Sequence, residues 1–311
     1  MNDIIKKFVK RVYSEDIKQF RAILVHKDGK MWGEAFLYPN VPVNIHSAAK
    51  SFMSTAVGIA IGEGILSLDD KPIDYFPEYL PDAVCDRLAS LTLRHLLTMS
   101  SGHAQSTFMR GDKPLLPLNP YDSESWIKQY LSKPIQAEPG TRFWYESGDT
   151  YTAGAMLQKK TGMTLVEYLK PRLFEPLGIE TPYWVVSPNG YNISYTGLWL
   201  SVADMMKFGE LYLNNGYYKV TQLIPVDWIK EATSFQIRTD DNDFNKGNET
   251  LGYGYQFWMG KDNCYRAAGL GGQHIIMLPK QNACAVISAF DIKKADLLLD
   301  VFWEEVLPFL D

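Results

Sequence analysis

The sequence predicts an α+β fold: a central antiparallel sheet assembled from both ends of the chain, with a helical middle. Two observations carry this. Short strand-like runs separated by turn residues lie at about positions 20–38 and again at 253–290. Between them the apolar residues recur at helical spacing, punctuated by Ser100-Ser101-Gly102, Pro139-Gly140 and Pro176-Leu177-Gly178. At 311 residues, with no repeat, low-complexity tract or flexible linker, the chain can bury one large core.

Taken in order, Ile4, Ile5, Phe8, Val9 and Val12 form one stripe of an N-terminal amphipathic helix, interrupted by charges. Residues 20–26 and 31–38 then read as a hairpin with Asp28-Gly29 in its turn. An almost uncharged helix follows Ser47. Helices are expected over 89–99, 149–160, 164–174 and 202–214, and strands over 253–258, 264–268, 273–278 and 283–290. A last amphipathic helix covers 293–310. Strands from the two ends pair most economically in one sheet, covered by the terminal helices and the Ser47 helix. Residues 1–66 with 203–311 would form an α/β subdomain, and 67–202 a mostly helical one.

Composition narrows the function. A net charge of −5, with basic residues scattered, argues against nucleic acid or anionic membrane surfaces as partners. No apolar run approaches the roughly 20 residues of a membrane span, and the charged start is unlike a signal peptide, so the chain reads as soluble and cytoplasmic. Cys85, Cys264 and Cys284 cannot all pair and show no Cys-x-x-Cys spacing, so neither a disulfide scaffold nor a zinc site is expected. His26, His46, His95, His103 and His274 are dispersed and read as structural. No Gly-x-Ser-x-Gly elbow, Walker loop or His-Glu-x-x-His helix is present.

The residues that carry chemistry are Ser47-Ala48-Ala49-Lys50, directly ahead of the uncharged run 51–61. If Ser47 opens a helix, Lys50 lies one turn on, on nearly the same face, and its amine reaches the Ser47 hydroxyl. A serine needs such a base, and an apolar surround would keep the lysine partly neutral. Free N–H groups at the helix start would favour negative charge developing at Ser47. Spacing alone is weak: Ser125-Trp126-Ile127-Lys128 repeats it in a segment that reads as a surface helix capped by Ser123 or Asp122. What separates Lys50 is its setting, since Glu34 is the one other charge between Lys30 and Glu63. The structural alternative is a lysine snorkelling from a core helix.

The motifs that follow resemble, in order, those of the serine β-lactamase and penicillin-binding-protein superfamily, specifically its class C-like branch of esterases, amidases, peptidases and β-lactamases. They are Ser47 to Lys50, 58–66 with Asp69-Asp70, Leu93 to Gly102, Pro139 to Ser147, Pro176 to Ile179, Ser201 to Gly209, Gly252 to Trp258 and Gly269 to Gln273. The resemblance spans about residues 21–289. It implies the β-lactamase/transpeptidase-like fold, Ser47 as nucleophile, Lys50 as base, and Tyr145 as the tyrosine that shares their proton and protonates the leaving group. A phenolate made accessible by Lys50 is the expected physical basis. Ser147 stands where asparagine is commoner in the Tyr-x-Asn motif, offering a substrate one hydroxyl instead of an amide.

The third motif departs further. Gly269-Leu270-Gly271-Gly272 resembles the Lys-Thr-Gly or His-x-Gly strand, with inert Leu270 in place of the cation or imidazole; the alternative is a Gly-rich hairpin turn. The resemblance implies that these residues and Gln273 border the substrate, with the Ser47 and Gln273 amides as oxyanion donors. Loss of the cation makes penicillin and D-alanyl peptides less suited substrates. The expected activity is a cofactor-free and metal-free serine hydrolase forming an acyl-enzyme on Ser47 and cleaving a small ester, amide or lactam. The alternatives are a β-lactamase or D-amino-acid peptidase in the narrow sense, or a silent binding protein of the same fold.

Overall fold

The protein is described by a computed structural model covering residues 2–104, 107, 109–110, 113–114, 125–180, 182–240 and 247–311. Asn2 caps the first helix, α1 (Asp3–Ser14), by accepting from the Ile5 N–H, and Ile5, Phe8, Val9 and Val12 form its buried stripe. The hairpin follows as β1 (Ala22–Lys27) and β2 (Lys30–Phe36), and its turn residues Asp28 and Gly29 both take positive φ, as the two-residue turn requires. Near the other end lie β6 (Trp258–Met259), β7 (Tyr265–Gly269), β8 (Gln273–Leu278) and β9 (Ala283–Ser288). The six strands form one sheet in the order β6-β7-β8-β9-β1-β2, every neighbour antiparallel. Pairing of β1 with β9, from Ala22 opposite Ser288 to Lys27 opposite Ala283, joins the two ends of the chain.

Alternation along the strands divides the core. Ile23, Val25, Ile276, Leu278, Ala285 and Ile287 pack outward against α1 and the last helix, α7 (Ala295–Glu305). Leu24, Ile275, Met277 and Val286 face inward, toward α2 (Ala49–Gly62) and α6 (Val202–Leu213). Helix α2 is buried from Ala49 to Ala60, which explains its lack of a polar stripe. Phe52 anchors it by stacking on Phe208 of α6 at 3.9 Å between ring centroids. The middle of the chain is helical, with α3 (Leu93–Leu97), α4 (Trp126–Leu131) and α5 (Ser147–Thr161) nearest the serine helix or its motifs. A small second sheet joins β3 (Val43–Asn44), β4 (Tyr183–Trp184) and β5 (Leu198–Leu200), so the strand entering Ser47 is held by a segment some 150 residues away.

Several expected elements are shorter or broken. The helix anticipated over 89–99 is two, Asp86–Ser90 and α3, because Thr92 starts the second with a capping box to His95. The helix over 164–174 is α-helical over Leu165–Leu169 and becomes a π-turn over Lys170–Phe174, where Pro171 removes an amide donor. Over 253–258 no continuous strand forms; Gln256 takes φ +66° and leaves Trp258–Met259 as the ladder. The C-terminal helix stops at Glu305, ahead of the Pro308 turn. Ser125 precedes α4 with Lys128 exposed, the surface helix expected; its anticipated caps Asp122 and Ser123 lie outside the described residues.

Strand β7 runs against the turn that carries Ser47. A Cβ built on Gly269 would stand 2.1 Å from the Ile45 carbonyl oxygen and 3.2 Å from the Ala48 nitrogen, so only glycine permits this approach. Gly269→Ala is therefore expected to push strand and turn apart and to cost about 1–3 kcal/mol of stability, read as a lower urea midpoint with unchanged slope.

Candidate active site

Ser47 sits in a 3-10 turn, His46–Ala48, that leads directly into α2, so it precedes the α-helix instead of opening it. The turn is set by its neighbours. Asn44 Oδ1 accepts from the His46 N–H at 2.9 Å and from the Gly197 N–H at 3.3 Å, and His46 is held at φ +49°, a strained value for a non-glycine residue. The His46 ring stacks on Phe290 at 5.4 Å, and burial lowers its pKa. It serves as a wedge that fixes the turn.

Lys50 is on the first turn of α2 and only 1% exposed. Its Nζ lies 3.1 Å from Ser47 Oγ and donates to the Tyr195 carbonyl at 3.1 Å. It also stands 4.9 Å from the centre of the Tyr145 ring and 5.4 Å from that of Tyr195. Burial is the main influence on its pKa, lowering it to about 7, with the Glu146 carboxylate pulling the other way. An amine so placed is about half neutral at pH 7, which a base beside a hydroxyl requires.

Tyr145 completes the cluster. Burial pushes its phenol up, and a hydrogen bond with Ser47 opposes this in part. The expected easily formed phenolate is thus corrected: the phenol stays protonated, and Lys50 is the group with a lone pair near neutrality. Tyr145 is held by stacking on Trp258 at 5.6 Å and 21°, against a small cluster of Met99, Phe143, Tyr253 and Trp258. It ends an irregular segment whose Glu146 caps α5, and Ser147 is the first residue of that helix, half-buried. Residues 47–50 and Tyr145 thus meet at one hydroxyl, and a third segment joins them through the Tyr195 carbonyl on Lys50.

The third motif is rearranged relative to expectation. Strand β7 ends at Gly269, and Leu270, Gly271 and Gly272 form the turn to β8, with Gly271 at φ +79° and Gly272 at φ +100°. These three are therefore a hairpin turn, and the residue before them, Gly269, is the one packed against the turn that carries Ser47. Leu270 projects from it half exposed. On the α2-facing side of β7, the residue two before Gly269 is Ala267, so the face that a Lys-x-Gly strand gives its cation carries a methyl group here. Arg266 points the other way, buried, donating to the carbonyls of Met259 and Asn248 at 3.3 and 2.9 Å.

Gln273 is also corrected. It pairs opposite Gly269 in the ladder, and its buried side chain bonds the Ala289 carbonyl and the Ser288 hydroxyl. Its backbone belongs to the sheet interior. The Gly272 N–H donates to the Gly269 carbonyl, so that residue's polar groups face β8 and the next amide, that of Leu270, turns to the opposite edge of β7. Among the described residues β6 covers β7 no further than Arg266, which leaves that edge open beside Ser47.

Tyr195, Glu146 and Asn44 were not singled out by sequence reasoning. Tyr195 acts through a backbone carbonyl, which leaves no residue-type signal. Glu146 stood inside the Pro139 to Ser147 motif, where an acid flanked by Tyr145 and Ser147 was the available clue. Among the described residues no group of His, Cys, Asp and Glu could hold a metal ion, and no helix is long and apolar enough to cross a membrane.

Residues 17–290 match the Beta-lactamase family model. A β-lactamase of Escherichia coli K12 is 25% identical over 199 residues, covering 60% of this chain and 49% of that protein. A lovastatin esterase of Penicillium rubens is 29% identical over 158 residues, covering 43% and 37%. The chain thus spans half or less of the length of these curated relatives. The octameric penicillin-binding protein homologue of Pyrococcus abyssi superposes with a TM-score of 0.74 at 20% identity, covering 98% of this chain and 77% of that one. The fold is therefore that of the β-lactamases and penicillin-binding proteins, and with its model matched over most of the sequence the chain belongs to the Beta-lactamase family.

Proposed function

We propose that the protein is a serine hydrolase that forms an acyl-enzyme on Ser47 and cleaves a small ester or amide. The observation that carries this reading is a buried lysine, its pKa lowered to about 7, whose Nζ lies 3.1 Å from the Ser47 hydroxyl. Neutral Lys50 accepts the Ser47 proton as Oγ bonds to the substrate carbonyl carbon. The carbonyl electron pair moves to oxygen, where the Ser47 and Leu270 amides serve as donors. As the tetrahedral centre collapses, the bond to the leaving oxygen or nitrogen breaks, and Tyr145 passes it a proton that Lys50 replaces. Water then attacks the acyl-serine by the reverse proton path, returning Ser47 Oγ–H and releasing the acid.

The small residues on the third strand shape the substrate. With Ala267 facing α2 and Leu270 at the turn, neither supplies the cation of the Lys-Thr-Gly pattern, so a substrate carboxylate has no partner from these positions. Leu270, Phe290 and Ile292 are all exposed, and with Tyr145 and Trp258 they favour an apolar, uncharged acyl or leaving group. The similarity to a lovastatin esterase supports the ester reading. Narrow β-lactamase or D-amino-acid peptidase activity is the lesser alternative.

Intact-protein mass after exposure to a fluorophosphonate is expected to show one adduct on the wild type and none on Ser47→Ala or Lys50→Ala. Absence of an adduct on the wild type would instead favour a silent binding protein of this fold. The rate of adduct formation is expected to rise with pH through about 7 and then level off, because Lys50 is a base only after losing its proton. Hydrolysis of p-nitrophenyl esters is expected to exceed that of nitrocefin by about 10²-fold or more in kcat/KM, since an apolar turn cannot pair the cephem carboxylate; the opposite order would move the assignment to β-lactamase.

A further inference from the structure

We infer that Glu146, between Tyr145 and Ser147, is a positioning residue of this site: it clamps the catalytic tyrosine's junction to the Thr107 segment and holds a negative charge near Lys50, while Asp149 beside it carries a proton. The inference rests on the serine-hydrolase reading and adds a function for two buried acids that the reaction itself does not use.

Glu146 and Asp149 are both fully buried, and neither makes an ion pair with a described residue. Their hydrogen bonds differ. Glu146 Oε1 accepts from the Gly148 N–H at 2.7 Å and the Thr107 N–H at 2.9 Å, and Oε2 accepts from the same Thr107 N–H at 3.1 Å. Backbone donors at a helix N-terminus favour a carboxylate. Asp149 accepts from the Tyr130 hydroxyl at 2.7 Å through Oδ1, and bonds from the Ser101 hydroxyl and backbone oppose in part the upward push of burial. Burial pushes both acids upward, and Asp149 is pushed further by the Glu146 charge. Two carboxyls three residues apart on a buried helix start oppose each other's ionisation, and the stronger upward push falls on Asp149, so the charge is assigned to Glu146, which the Thr107 and Gly148 amides hold.

The groups packed around Glu146 leave it as the local anion. Lys50 faces it from α2, and Lys133 from the segment after α4. Tyr130 of α4 and Tyr195 are neutral phenols whose pKa is raised by burial. His103, on the segment leading to Thr107, is kept neutral by burial, with its pKa lowered to about 4. An anion at Glu146 therefore holds Lys50 protonated to a higher pH than burial alone would allow. Its bonds to Thr107 and Gly148 fix the backbone on both sides of Tyr145 and Ser147. There is no room to rearrange: a Cβ on Gly148 would meet Thr107 Oγ1 and Tyr130 Cδ2 at 2.6 Å and Glu146 Oε1 at 2.7 Å.

The test is the pH dependence of fluorophosphonate adduct formation at Ser47 in the full chain, for wild type, Glu146→Gln, Glu146→Asp and Asp149→Asn, with folding checked by circular dichroism. Glu146→Gln keeps the shape but removes the charge, so the acidic limb is expected to move down by about half a pH unit or more. Glu146→Asp keeps the charge on a shorter arm and is expected to hold the limb in place while slowing the plateau rate. Asp149→Asn replaces an already neutral group and is expected to leave the limb unmoved. An unmoved limb in Glu146→Gln, or a downward shift in Asp149→Asn, overturns the inference. If Glu146→Gln does not fold, the plateau rate of Glu146→Asp decides, an unslowed plateau overturning the inference. Failure of the wild type to form an adduct would refute the hydrolase reading instead, so the two outcomes are separable.

Discussion

The structure turns on one costly placement, a lysine amine buried beneath a serine hydroxyl. Taking an ammonium out of water is unfavourable by several kcal/mol unless the group is paired or neutral. Here the surround compensates only partly: one carbonyl from Tyr195, two aromatic faces and the charge of Glu146. The balance leaves Lys50 near neutrality at physiological pH. Fuller compensation, such as a carboxylate in direct contact, would keep it protonated and useless as a base. None at all would neutralise it but lower its basicity further.

This placement explains the rest of the architecture around it. Helix α2 carries no other charge and is buried around Lys50, its hydroxyls at Ser51, Ser54 and Thr55 all hydrogen-bonded internally, and it lies between the sheet and the helical middle of the chain. Ser47 must then approach from outside that helix, which the short turn over His46–Ala48 and its Asn44 bond achieve. Strand β7 comes close to the same turn, and Gly269 lacks the side chain that would prevent it. Each of these features is local, yet each depends on the pairing of β1 with β9, which brings the two ends of the chain into one sheet.

The polar cluster behind Tyr145 has a different character. His103, Tyr130, Glu146 and Asp149 are buried within the helical part, where a large apolar core would be simpler and more stable. The hydrogen bonds of Tyr130, Glu146 and Asp149 converge on the N-terminus of α5, immediately after the tyrosine, while His103 bonds the Ser101 hydroxyl and packs on the Tyr130 ring. Such a network gives Tyr145 a defined backbone position that apolar packing by Trp258 alone would leave free to slide. The chemistry proposed for Ser47 thus draws on two kinds of support: burial for Lys50, and directional bonding beside Tyr145.

The α+β class, the hairpin turn at Asp28-Gly29, the helix after Ser47 and the pairing of Ser47 with Lys50 were legible in the residues themselves, whereas Tyr145 was singled out only by its resemblance to a family motif. Each of the former is written in local terms: alternation, turn residues, helical spacing, or the absence of charge around Lys50 over some thirty positions. Tertiary structure decided what depends on contacts between distant segments. It placed the Tyr195 carbonyl on Lys50, put Gln273 in the sheet opposite Gly269, and buried the Tyr145 phenol so that its pKa is raised. The physical reason is that backbone atoms carry no residue-type signature, and that burial, which sets both pKa values, is a property of the packed chain and not of any segment within it.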